Sequence, residues 1–205
     1  MTNDIITVIL AGGLARRLGN IDKAMVEVEG TSLLDHVLTR MANQSQKICI
    51  NANGDPVRFS KWELPVVADT IGNFAGPLAG VLAAMEWAIE NHSDCKWIVS
   101  VPVDTPFVPR DLVARFSETI KTNNADLTCA KSDGRAHPVA GMWPVRLAAN
   151  LRDAMIDENL RKVDLWTGRF NLVHTVFDID RVDPFFNINR PEDIEKAEQV
   201  LQDTR

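Results

Sequence analysis

Hydrophobic and polar positions alternate along this chain in two different rhythms, and the rhythms take turns. Ile5 to Leu10 is a short continuous run rich in β-branched residues that stops at Ala11-Gly12-Gly13, the pattern of a fully buried strand ending in a tight loop. From Thr31 onward Leu33, Leu34, Val37, Leu38 and Met41 recur at helical spacing, with Thr31 or Ser32 as N-cap and Asp35 placed to pair with Ser32. Lys47 to Asn51 and Pro65 to Ala68 read as strands. Leu78, Val81, Leu82, Met85 and Ile89 then mark a second amphipathic helix opening at Pro77. Trp97 to Val101 is another buried strand, leading into Pro102-Val103-Asp104, and Pro109 is expected as the first residue of a helix whose face carries Leu112, Val113, Phe116 and Ile120. Strand character returns at Asp126 to Ala130. Past Asp133-Gly134-Arg135 the rhythm loosens into a short strand near Val139 to Met142, a helix from Val145 to Ile156, a strand near Leu172 to Phe177 and a closing helix, Pro191 to Gln202.

Strands alternating with helices predict a mostly parallel sheet covered on both faces, because parallel neighbours need crossover connections. The expected fold class is α/β, a three-layer, Rossmann-like nucleotide-binding fold with a mostly parallel, mixed sheet. Its ligands would sit beyond the carboxyl ends of the strands. The chain of 205 residues fits one domain, with 1–132 as a nucleotide-binding half and 133–205 as an acceptor-side half. No run is long and apolar enough to cross a bilayer, and the start lacks a secretory pattern, so a cytoplasmic protein is expected. The odd set of Cys49, Cys95 and Cys129 reads as buried thiols. A net charge of -6 argues against a nucleic-acid surface, so an anionic ligand would have to be met by a few basic groups in one place.

The loop from Leu10 to Lys23 offers that place. Gly12 and Gly13 allow backbone amides to approach an anion, and Arg16, Arg17 and Lys23 follow directly. The spacing is neither that of the P-loop nor that of the dinucleotide fingerprint. On local chemistry alone the segment is either a polyphosphate cradle or a plain turn. Asp104, at the end of a buried strand, is either a metal-binding carboxylate or a cap before Pro106. Gly76 to Gly80 either approaches a substrate or opens a helix with Gly80 giving room for packing, and His137 is either a satisfied structural histidine or part of a binding site. Asn187 and Asn189, two apart in an extended segment, either share a binding face or cap the last helix. Trp143 and Trp166 are expected in the core.

The pattern Leu10-Ala11-Gly12-Gly13, Arg17, Gly19, Asp22-Lys23 resembles the signature of the molybdenum cofactor guanylyltransferases, commonly called MobA. Further matches follow in order at Asn51-Ala52-Asn53, Asp69, Gly76 to Gly80, Pro102 to Pro106, Asp133 to Pro138 and Phe186 to Pro191, so the resemblance spans nearly the whole chain. Asn20 departs from it, standing where the family usually has glycine. The resemblance implies transfer of GMP from GTP to the terminal phosphate of molybdopterin, with release of pyrophosphate. It implies that Leu10, Ala11, Gly12, Gly13, Asn51 and Asp69 bind the nucleotide, that Arg17 and Lys23 serve the triphosphate, and that Asp104 holds Mg²⁺. It also implies an acceptor site using Gly76, Gly80, His137, Asn187 and Asn189, and partner proteins that deliver molybdopterin or mature molybdoenzymes. The rivals are the same fold acting with CTP on the same pterin, a sugar- or alcohol-phosphate nucleotidyltransferase, and a non-catalytic adaptor that binds nucleotide and passes cofactor on.

Overall fold

The computed structural model describes residues 4–12, 14–15, 21–72 and 76–203. Seven strands form the central sheet: β1 (Ile5–Leu10), β2 (Lys47–Asn51), β3 (Val66–Val67), β4 (Trp97–Pro102), β5 (Leu127–Ser132), β6 (Arg135–Pro144) and β7 (Leu172–Val176). Their order across the sheet is β7-β5-β6-β4-β1-β2-β3. β1 pairs in parallel with both β2 and β4, β2 with β3, and β5 with β7. Only β6 runs against its neighbours, β4 and β5. The sheet is therefore mixed and mostly parallel, as the alternation implies.

Alternate residues of β1 face opposite layers, which is what a strand buried on both faces requires. Ile6 and Val8 pack with α2 (Pro77–Asn91), α4 (Ala148–Ile156) and α5 (Val163–Thr167). Ile5 and Ile9 pack with α1 (Leu33–Met41) and α3 (Leu112–Asn123). A smaller cluster joins Val26, Val28, Leu33, Phe107 and Ile188 to Ala197 of α6 (Pro191–Gln202). α1 starts where Ser32 accepts the Asp35 N–H and donates its own proton to the Asp35 carboxylate. Trp143 and Trp166 are fully buried with ring centroids 6.0 Å apart, and their indole N–H groups donate to Ser100 and Asn150. Cys49, Cys95 and Cys129 are free and buried, and burial pushes the Cys49 thiol up to about 12 and that of Cys129 to about 11. They behave as small apolar groups.

Two expectations need correction. Pro109 does not begin α3: it precedes the helix, and Gln44 holds the junction, donating to the Pro109 carbonyl at 2.8 Å while its Oε1 accepts the Val113 N–H at 3.0 Å. A side chain remote in sequence thus caps the start of α3. The strand near Val139 is longer than expected, because a register shift between His137 and Gly141 lets β6 continue through the apolar/polar irregularity that hides it in the sequence. The segment around Asn187 forms no strand among the described residues, but Ile188 is buried between two exposed asparagines, the alternation that the two-residue spacing implies, and the Ile188 N–H donates to the Asp104 carbonyl at 2.9 Å.

Candidate active site

Four adjacent parallel strands end on one edge of the sheet, and each delivers one element of the expected nucleotide site. In spatial order they are Asp69 after β3, Asn51 at the end of β2, Leu10-Ala11-Gly12 at the end of β1, and Asp104 after β4. The ladder continues past the strands, with the Ala11 N–H donating to Asn51 O and Ala52 N–H to Val67 O. This fixes the loops at their roots. Asn51 is oriented by its amide, which donates to Val67 O at 3.1 Å and to Asp69 Oδ1 at 2.9 Å. Asp69 is gripped a second time by Asn53, which donates to Oδ2 at 2.8 Å and accepts the Asp69 N–H at 2.9 Å. With both amide hydrogens committed, Asn51 turns its oxygen toward Gly12 and Gly80: a Cβ on Gly12 would lie 3.8 Å from it, and one on Gly80 only 2.2 Å.

Lys23 and Asp104, 81 residues apart, meet at 2.5 Å in a pair that is largely shielded from solvent. Asn189 Oδ1 accepts a second hydrogen from the same ammonium at 2.7 Å. Lys23 is aimed by a short 3₁₀ turn, Lys23–Met25, capped by Asp22, whose Oδ1 accepts the Ala24 N–H. Arg58 Nε holds the other Asp22 oxygen at 2.7 Å, and its guanidinium also reaches the carbonyls of Asn53 and Asp55. Arg58 therefore joins the mount of Lys23 to the mount of Asp69. Gly13, Arg17 and Asn20 lie outside the described residues.

Because β6 is reversed, its first residues arrive at the same edge as the last residues of β4 and β5. They form a cleft of about 210 Å³ lined by Pro102, Thr105, Arg135, His137, Phe185 and Asn187 among others. The His137 ring lies 4.7 Å from the Phe185 ring at 25°, and its Nε2 is 2.6 Å from Ser132 Oγ. Ser132 in turn donates to Asp183 Oδ1 at 2.8 Å. Burial lowers the pKa of His137; the Asp183 carboxylate opposes that and Arg135 reinforces it.

Residues 7–169 match the family model for the MobA-like NTP transferase domain. The chain belongs to the MobA-like NTP transferase family. It is 46% identical over 199 residues to a molybdenum cofactor guanylyltransferase of Rhodopseudomonas palustris (strain BisB5), covering 97% of this chain and 95% of that one. A protein of the same name from Bradyrhizobium sp. (strain ORS 278) is 46% identical over 192 residues, 94% of this chain and 91% of that one. Among solved structures, molybdopterin-guanine dinucleotide biosynthesis protein A from Archaeoglobus fulgidus superposes with a TM-score of 0.72 at 23% identity, covering 97% of this chain and 99% of that one.

Within this MobA-like frame the expected residues divide into groups. Leu10, Ala11, Gly12, Asn51 and Asp69 adjoin one another, Lys23 and Asp104 form a junction with Asn189, and His137 and Asn187 share the cleft. Gly76 opens α2 with φ of 77°, a conformation that favours glycine, and Gly80 packs against Asn51 and Leu10. Asn189 does not cap α6 through its side chain, since the Asp193 carboxylate accepts the Asn189 and Arg190 N–H groups. The supporting residues Asp22, Asn53, Arg58, Ser132 and Asp183 were not among the candidates. Asp22 and Asn53 stand inside quoted motifs and could have been suspected; Arg58 and Asp183 carry no local signal, being placed by the fold.

Proposed function

We propose that this chain transfers GMP from GTP to the terminal phosphate of molybdopterin, forming the guanine dinucleotide form of the cofactor and releasing pyrophosphate. The observation that carries the reading is the Lys23–Asp104–Asn189 junction between a nucleotide-side edge and a second cleft, in a chain 46% identical over 97% of its length to molybdenum cofactor guanylyltransferase. An acceptor and a nucleotide brought to the two sides of that junction would meet at Lys23.

The chemistry asks the protein mainly to position and neutralise. The acceptor's phosphate is already an anion, so attack on the α-phosphorus of GTP needs no dedicated general base. Lys23 supplies a compact positive charge for the triphosphate, and its mount on Asp22 and Arg58 keeps that charge from following the leaving group into solvent. Asp69, held through both oxygens, presents a fixed acceptor edge on the nucleotide side, where the N–H donors of guanine would distinguish it from adenine. The cleft beside His137 is smaller than the ~300–1,000 Å³ of whole-ligand sites, which suits one ring system of the acceptor.

Among the described residues no three His, Cys, Asp or Glu side chains gather as a metal cage. A single hard carboxylate fits Mg²⁺ nevertheless, because that ion is usually held by one or two carboxylates together with substrate phosphates. Asp104 is the residue that would hold it, where it would neutralise charge on the phosphate oxygens. Calorimetric binding of GTP, CTP and ATP with Mg²⁺, followed by product analysis with molybdopterin, tests the reading. Preference for GTP and formation of the guanine dinucleotide are expected; preference for CTP, or binding without turnover, overturns it.

A further inference from the structure

Ser132, Asp183 and His137 form a chain of hydrogen bonds that no sequence motif announces, and one proton decides its direction. A hydroxyl has a single hydrogen, and an ionised carboxylate can only accept. Ser132 Oγ lies 2.8 Å from Asp183 Oδ1, so its hydrogen goes there. The 2.6 Å contact to His137 Nε2 must then be made by a hydrogen on the imidazole. Asp183 is itself held in place, since the Phe185 N–H donates to the same Oδ1 at 2.9 Å, while the Phe185 ring stacks on His137. The Asp183–Phe185 turn therefore fixes the imidazole both in its plane and on its face. On the other edge of the ring, Nδ1 has no hydrogen-bond partner among the described residues, and His137 lines the cleft.

We infer that Ser132 and Asp183 are positioning residues that hold His137 as the tautomer protonated at Nε2, so that Nδ1 is offered to the cleft as an acceptor for an N–H group of the acceptor substrate. The tautomer stands on geometry alone; its ligand rests on the reading that this cleft takes the acceptor. Burial, by disfavouring the charged ring against the pull of Asp183, keeps His137 neutral and Nδ1 bare at neutral pH. The side chain then reads a donor on a nitrogen heterocycle rather than a phosphate, which would need a donor in return.

Long-range ¹H–¹⁵N NMR of the labelled protein at neutral pH reads the tautomer directly, the His137 signals being assigned by their loss in His137→Gln. The expected pattern is a protonated Nε2 and a bare Nδ1. In Ser132→Ala the two nitrogens should move toward averaged positions, and KM for molybdopterin should rise roughly tenfold, the worth of one well-placed hydrogen bond, with kcat and GTP affinity preserved. Asp183→Asn, whose amide oxygen can still accept from Ser132 and Phe185, should retain the Nε2–H pattern. A proton on Nδ1, a charged ring at neutral pH, or an unchanged KM in Ser132→Ala overturns the inference. Failure to make any guanine dinucleotide would instead overturn the proposed reaction, with the NMR pattern still deciding the tautomer.

Discussion

Replacing Gly80 by alanine sets two well-known effects against each other. In an ordinary helix the change is favourable by roughly 0.5–1 kcal/mol, because glycine loses more conformational freedom on folding. In this protein a Cβ at position 80 would lie 2.2 Å from Asn51 Oδ1, 2.8 Å from Asn51 Cγ and 2.8 Å from Leu10 Cδ2. The leucine methyl can rotate away, but Asn51 is held by two donated hydrogen bonds, to Val67 O and Asp69 Oδ1. Making room means breaking one of them or shifting α2. Overpacking of this kind costs about 1–3 kcal/mol, which exceeds the helix gain and leaves a net loss of roughly 0.5–2 kcal/mol. For a chain of this size the melting temperature should fall by about 1–8 °C, measured by thermal denaturation. GTP affinity should fall with it, because displacing Asn51 removes one of the two side chains that hold the Asp69 carboxylate. The clash also predicts coupling: in an Asn51→Ala background the added methyl should cost much less, so a double-mutant cycle should give an interaction energy above about 0.5 kcal/mol. A Gly80→Ala protein that melts higher and binds GTP as before would refute the close approach on which this rests.

Asp104→Ala should lower kcat by at least ~10²-fold and flatten the Mg²⁺ titration curve, and should also lower the melting temperature because the shielded Lys23 ammonium loses its carboxylate; an unaltered titration would remove Asp104 from the metal role. Trp143→Phe deletes the buried N–H that donates to Ser100 Oγ at 2.7 Å and leaves a gap beside Trp166, which should cost about 1–3 kcal/mol in urea denaturation while turnover per folded molecule persists. Glu86 is partly buried, which raises its pKa, but hydrogen bonds from Arg152 and Thr70 prevail and hold it below the usual carboxylate value. Since the folded pKa is depressed, the stabilisation is present above the ordinary value and is lost as pH falls through the folded one. Arg152→Ala should therefore lower the neutral-pH melting temperature and flatten its decline in acid, and an unchanged acid limb would count against the pairing.

The edge that carries the candidate site is built from two kinds of strand end. Four parallel strands contribute carboxyl-terminal residues, and the reversed β6 contributes amino-terminal ones, Arg135 and His137. A wholly parallel sheet would have put the start of that strand on the opposite edge. One antiparallel strand thus places a cleft beside the ends of the parallel strands in the same sheet. Asn189 bridges them through Lys23, and Ile188 anchors the bridging segment to the Asp104 backbone.

Much of this was legible in the amino-acid order because it is local. Strands β1 and β2 and helix α6 coincide with the expected segments; burial of β1 on both faces demands an unbroken apolar run, and Pro191 followed by Glu192 and Asp193 marks the start of α6. The Gly-rich loop with its following Lys23, and Asp104 at the end of a buried strand, stand out by their residue types, whereas Asp69 was marked only by the family resemblance. What only the tertiary structure decided are relations between distant positions. Gln44 starts α3 in place of Pro109, Asn53 and Arg58 tie two loops together, and Ser132 receives His137 on one side and Asp183, 51 residues away, on the other. Periodicity reports which way a side chain faces along its own element; it carries no information about which remote backbone groups are left needing a partner, and those needs are what place these side chains.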